Sequence, residues 1–110
     1  YNYIIYYILM KLSFIKYGKR KIKVSFVQLS DCFGLYDPNL QTLQLDKRLK
    51  DWKLFNTLIH ELFHIIMYNE GININERGEE PIAIAVGNGY EKIFKANPYL
   101  VKLLMRSIKK

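Results

Sequence analysis

The hydrophobic period of this chain changes once, and that change fixes the order in which its elements can appear. Up to about residue 46, apolar residues alternate with polar ones; beyond residue 51 they recur every three to four positions. Ile22, Val24 and Phe26 alternate with Lys21, Lys23 and Ser25, Leu12 and Phe14 precede them with the same period, and Gly18-Lys19 supplies a turn. The pattern predicts a hairpin with one buried face and one lysine-rich face. Asp37-Pro38-Asn39 marks a second turn, between Phe33-Gly34-Leu35-Tyr36 and Thr42-Leu43-Gln44-Leu45. From Asp51 to Asn69, Leu54, Leu58, Leu62, Ile65 and Ile66 fall at helical spacing, and Gly71 stands where a C-terminal cap belongs. Ile72 to Glu79 is expected as a loop. Pro81 suits the first turn of a second helix running toward Ala96, and Asn97-Pro98 opens a third, to about Ile108. Gly87 and Gly89 weaken the second helix by up to ~1 kcal/mol each relative to alanine, so close packing against a neighbour would have to offset them. The fold expected is α+β. A small N-terminal antiparallel sheet of three to four strands packs on the long helix, followed by two more helices.

At 110 residues, half of them hydrophobic, the chain has material for one packed core and little room for a second. Residues 10–110 are expected to form the single domain, with Met10 a candidate natural start. Residues 1–9 are then an upstream extension or an extra strand, two readings of equal weight. The apolar run from Tyr3 to Met10 falls short of the ~20 residues that span a bilayer. Its basic neighbours follow it rather than precede it, unlike a signal peptide. No membrane partner is expected. The single cysteine, Cys32, excludes a disulfide framework and a Cys-rich zinc site, and fits a reducing, cytoplasmic setting. It reads as a small buried hydrophobe. Trp52, Phe55 and Phe63 are expected in the core.

Chemistry concentrates in His60-Glu61-Leu62-Phe63-His64, an H-E-x-x-H sequence in the strongest helix. Residues four apart on a helix share a face, so both imidazoles can reach one metal ion. Glu61 can lean over the same ion and serve as base to a water that the metal activates. Zinc suits imidazole and carboxylate ligands with one position left open. A third protein ligand is needed. These are the only two histidines, and no aspartate follows Asp51. Glu70, Glu76, Glu79, Glu80 and Glu91 remain downstream. Glu70 lies well round the helix from the histidines, Glu76 falls in the expected loop, and Glu79 and Glu80 open the next helix.

Thr57-Leu58-Ile59-His60-Glu61-Leu62-Phe63-His64, followed by Glu80-Pro81-Ile82-Ala83, resembles the minimal gluzincin-type zinc metallopeptidases. The likeness is greatest to the compact ImmA/IrrE-like enzymes and small phage-encoded relatives. It spans about Phe26 to Leu104, with only the H-E-x-x-H motif sharply specific. The resemblance implies zinc held by His60, His64 and a glutamate on the following helix, with Glu61 as general base for peptide hydrolysis. Glu80, with Ala83, Val86 and Gly87 behind it, matches that register better than Glu79. Geometry argues the same way. Pro81 would fix a helix start just after Glu80, Ala83 and Gly87 would give a face for close approach, and Glu79, ~100° away, would face solvent or cap the helix. Glu91, ~16 Å further along the axis, could not share the ion. The larger relatives add a histidine or tyrosine for the oxyanion. Here Tyr36, Tyr68, Tyr90 and Arg77 are candidates by chemistry alone. The resemblance further implies a peptide or protein substrate, such as a phage or mobile-element repressor.

A net charge of +7, with Lys11, Lys16, Lys19, Arg20, Lys21 and Lys23 gathered before the first acidic residue, offers a second reading. A basic hairpin could grip nucleic acid or a protein, with the metal site structural or vestigial. Lysines on the solvent face of an exposed hairpin also discourage edge pairing, and that explanation is favoured.

Overall fold

A computed structural model describes residues 12–108; residues 1–9, and the choice between extension and strand, lie outside them. Strands β1 (Phe14–Tyr17) and β2 (Arg20–Val27) form the expected hairpin, turning at Gly18, whose φ of +59° favours glycine. Strands β3 (Gly34–Asp37) and β4 (Thr42–Asp46) form a second. Asp37 Oδ1 accepts the backbone N–H groups of Asn39 and Leu40 at 2.9 and 3.2 Å, closing the turn that the sequence marks.

The four strands make one sheet in the order β1-β2-β4-β3, and its central pair runs parallel. The sheet is therefore mixed rather than antiparallel throughout. Burial explains the order. Leu43 and Leu45 on β4 are almost wholly buried, so β4 takes the interior position, with Val24 opposite Leu43 and Phe26 opposite Leu45. β3 is left as an edge.

Helix α1 (Asp51–Asn69) crosses one face of the sheet. Its Leu54 and Ile65 join Ile22, Val24, Leu43, Leu45 and Leu49 in the core, with Leu58 and Leu62 packed against it. The helix ends in a Schellman arrangement. Gly71, at φ +71°, donates to the Tyr68 carbonyl at 3.1 Å, and Ile72 donates to the Met67 carbonyl at 3.0 Å.

Helix α2 (Glu76–Ala96) begins five residues before Pro81, inside what the sequence suggests is loop. Asn75 is the reason: its side chain accepts the Gly78 N–H at 2.9 Å and caps the helix. Pro81 consequently sits within the helix, leaving the Arg77 carbonyl without its helical donor. Ala83 is fully buried, and a Cβ on Gly87 would stand 2.6 Å from Asn56 Oδ1 and 3.1 Å from the Asn56 carbonyl oxygen. The two helices thus approach as closely as the small residues allow. Gly89 faces open space, so packing gives it no such justification. Helix α3 (Pro98–Ile108) leans on α2 and buries none of its residues. No helix among the described residues is long and apolar enough to cross a membrane.

The expected aromatic core is displaced outward. Trp52 is 38% exposed, and it meets Phe55, which meets Phe94, along the outer seam of α1 and α2. Phe63 is only partly buried. Cys32 is exposed, in the loop between β2 and β3, rather than buried.

Asp46, the last residue of β4, ties the connection toward α1 to the loop after β2. Its buried carboxylate accepts Arg48 Nη2 at 2.6 Å, Arg48 Nε and the Arg48 backbone N–H at 2.9 Å, and the Leu29 N–H at 3.2 Å. The Arg48 side chain, then these amides, hold its carboxyl well below the usual carboxylate range. An unfolded aspartate titrates near ~3.9, so the stabilisation is complete above about pH 4 and is lost as pH falls below it. Thermal melts from pH 7 to pH 2 should therefore show a steep acid loss in the wild type. Asp46→Asn should melt lower at pH 7 and lose less of its stability below pH 4; parallel curves would contradict this account.

Candidate metal centre

The middle of α1 and the first turns of α2 face each other across an open cleft of about 810 Å³, walled on one side by β3. His60 Nε2 and His64 Nε2 lie 3.2 Å apart, a separation that their four-residue spacing on one helix face allows. Glu80 Oε1 reaches between them, 2.8 Å from His60 Nε2 and 2.9 Å from His64 Nε2. Three atoms that can each act as acceptors converge on one point, and such a group is held together by protons or by a cation. Around a tetrahedral zinc with bonds of ~2.0–2.2 Å, ligand atoms lie ~3.3–3.6 Å apart, so each edge of the triangle need open only slightly. Among the described residues, His60, His64 and Glu80 are the group whose donor atoms lie close enough together that they could hold a metal ion. The donor set of two imidazoles and a carboxylate fits zinc, with the cleft side open for a fourth ligand.

Glu61 sits beside this triangle without joining it, its Oε2 3.8 Å from His60 Nε2. Its side chain is buried beneath β3. A Cβ on Gly34 would stand 2.9 Å from Glu61 Cγ and 3.1 Å from Thr57 Cγ2, so only glycine lets the edge strand lie this close. Burial pushes the Glu61 carboxyl above the usual carboxylate range, with the Glu80 charge adding to it; His60, His64 and a backbone hydrogen bond from Tyr36 pull the other way. Burial also pulls the His64 imidazole down, but hydrogen bonds to Glu79 and Glu80 outweigh it, and the ring ends up more basic than usual. For Glu80, burial raises the carboxyl, and the two histidines overcome that and leave it lowered.

Glu79 departs from expectation. It neither faces solvent nor caps the helix: its Oε2 lies 2.6 Å from His64 Nδ1, and its side chain is 19% exposed against 51% for Glu80. Glu70 and Glu91 lie elsewhere. Glu70 accepts the Tyr17 hydroxyl, while Glu91 holds Asn56 at 2.7 Å and Lys95 at 2.6 Å. Tyr36 and Tyr68 line the cleft, their rings edge to face at 6.2 Å; neither Tyr90 nor Arg77 lines it. Cys32 is on the cleft wall as well. The contact of Gly34 with Glu61 and the bond between Glu79 and His64 Nδ1 escaped the sequence reading, in which Glu79 stands as the weaker candidate ligand. Gly34 opens a strand, which is a legible if modest sign of close backbone approach. Asn75, three residues before Gly78, was the cap that places Glu79 on a helix.

The sequence matches no known family model, and no curated protein matches it.

Neither histidine belongs to the core cluster. His60→Ala and His64→Ala should each abolish stoichiometric zinc after dialysis against a mild chelator, measured by elemental analysis. Their metal-free melting temperatures should stay within a few degrees of the wild type. Full zinc retention in either variant would refute the assignment.

Proposed function

We propose that this domain is a zinc-dependent peptidase, with His60, His64 and Glu80 as metal ligands and Glu61 as general base. The observation that carries the proposal is the placement of a buried carboxylate, Glu61, beside a three-ligand triangle that opens onto a cleft. Zinc bound there would polarise a peptide carbonyl and acidify a water molecule.

The remaining work falls to the protein's own groups. Glu61 Oε2 takes a proton from the attacking water and returns it to the leaving nitrogen. Burial, which raises its carboxyl above the usual range, strengthens its hold on the proton that it takes. Burial under β3 keeps it from bulk solvent, and the Gly34 contact limits where its chain can swing. His60 and His64 orient through their helix, which the core clamps from below. By resemblance, the substrate class proposed is a regulatory protein such as a phage or mobile-element repressor, cut in a cytoplasmic setting.

A purely structural metal site gives Glu61 no task. Structural zinc takes four protein ligands and closes, whereas three converge here among the described residues. A buried carboxylate is costly unless something uses or pairs it.

Glu61→Gln separates binding from chemistry. The variant should retain zinc at wild-type stoichiometry, because Glu61 is outside the triangle, and lose ~10²–10⁴-fold in hydrolysis of a cleavable protein substrate. Hydrolysis at the wild-type rate would exclude Glu61 as base.

A further inference from the structure

Two adjacent glutamates reach one histidine ring from opposite edges. Glu80 Oε1 lies 2.9 Å from His64 Nε2, on the side of the triangle, and Glu79 Oε2 lies 2.6 Å from His64 Nδ1, on the side away from it. Consecutive helical residues point ~100° apart, and an imidazole presents its two nitrogens on different edges. The pair can therefore straddle the ring without competing for one nitrogen.

We infer that Glu79 is a positioning residue for the centre, accepting the Nδ1–H of His64 and so leaving Nε2 with a bare lone pair aimed at the metal position. The inference rests on the metal reading proposed above and adds to it a division of labour between neighbours. A neutral imidazole carries one N–H, and the nitrogen that keeps it is set by the partner of the other. With the proton fixed on Nδ1, His64 cannot direct a hydrogen into the space that it shares with His60 Nε2 and Glu80 Oε1. Burial sharpens the assignment. Glu79, the less exposed of the two, holds a short, charge-assisted bond in a partly dry setting, while Glu80 stands half in solvent beside the open position. Asn75 makes this possible by starting α2 at Glu76, so that Glu79 is held on the helix rather than in a loop.

Glu79 thus acts through His64 rather than as a metal ligand. Partners of this kind are worth ~10–100-fold in metal affinity. The test compares wild type with Glu79→Ala, Glu79→Gln and Glu80→Ala, using zinc competition against a chromophoric chelator and nitrogen NMR of the histidine rings in the metal-free proteins. At a pH where the ring carries a single proton, wild-type His64 should hold it on Nδ1. Glu79→Ala should lose that preference and bind zinc ~10–100-fold more weakly, still at one equivalent. Glu79→Gln keeps an acceptor without the charge, so it should retain the tautomer and recover part of the affinity. Glu80→Ala should keep the His64 tautomer and lose stoichiometric binding. Wild-type tautomer and affinity in Glu79→Ala would overturn the inference. So would a Glu79→Ala defect as complete as that of Glu80→Ala, which would make Glu79 a ligand. If the wild type bound no zinc, the metal reading would fail, and the tautomer comparison would still decide what Glu79 does to His64.

Discussion

The close approach of α2 to α1 is the contact on which this site depends. Glu79 and Glu80 reach His64 because their helix lies against α1, with Ala83 fully buried in the seam and Gly87 over the Asn56 carbonyl. A larger residue at either position would push the helices apart, and a shift of an ångström would break bonds of 2.6–2.9 Å. Asn56 reinforces the seam further along, donating to Asn88 at 2.9 Å and to Glu91 at 2.7 Å. The ligand cluster itself contributes little to the core. It is a polar arrangement held in place by apolar packing below and by small residues alongside.

On the other flank, β3 determines what Glu61 can do. The edge strand passes so close that a side chain at Gly34 would collide with the Glu61 carbon chain. The same proximity buries the carboxyl and raises its pKa. The sheet order makes this possible: β4 takes the interior because it carries the most deeply buried leucines, and β3 is left at the rim, beside α1. Fold and chemistry are linked here through one glycine.

Much of this was legible in the residues. The change of period placed both hairpins and all three described helices in order, and the spacing of His60, Glu61 and His64 anticipated that these side chains would gather at one cleft. Strand direction was not legible, because alternation reports which face is buried and not which neighbour a strand chooses. The start of α2 was misplaced because Pro81 favours a first turn, yet the Asn75 cap acts earlier, and a helix tolerates the proline at the cost of one hydrogen bond. The expectation that Glu79 faces solvent or caps the helix fails for a related reason. Helical phase separates it from Glu80 by ~100°, but phase says nothing of a partner with two ring nitrogens. Trp52 and Cys32 were misjudged because residue type predicts burial only on average. Here the sheet and α1 fill the core with leucine, isoleucine and valine.

The proposal stands or falls on whether His60, His64 and Glu80 surround a metal. Zinc-edge X-ray absorption of the loaded protein measures ligand type and distance directly, and Cys32 on the same cleft wall gives the measurement a real alternative. The geometry predicts one zinc per chain with nitrogen and oxygen neighbours only, at ~2.0–2.2 Å, two of them showing the outer-shell pattern of imidazole. A sulfur neighbour at ~2.3 Å, or a shell with no imidazole signature, would contradict it.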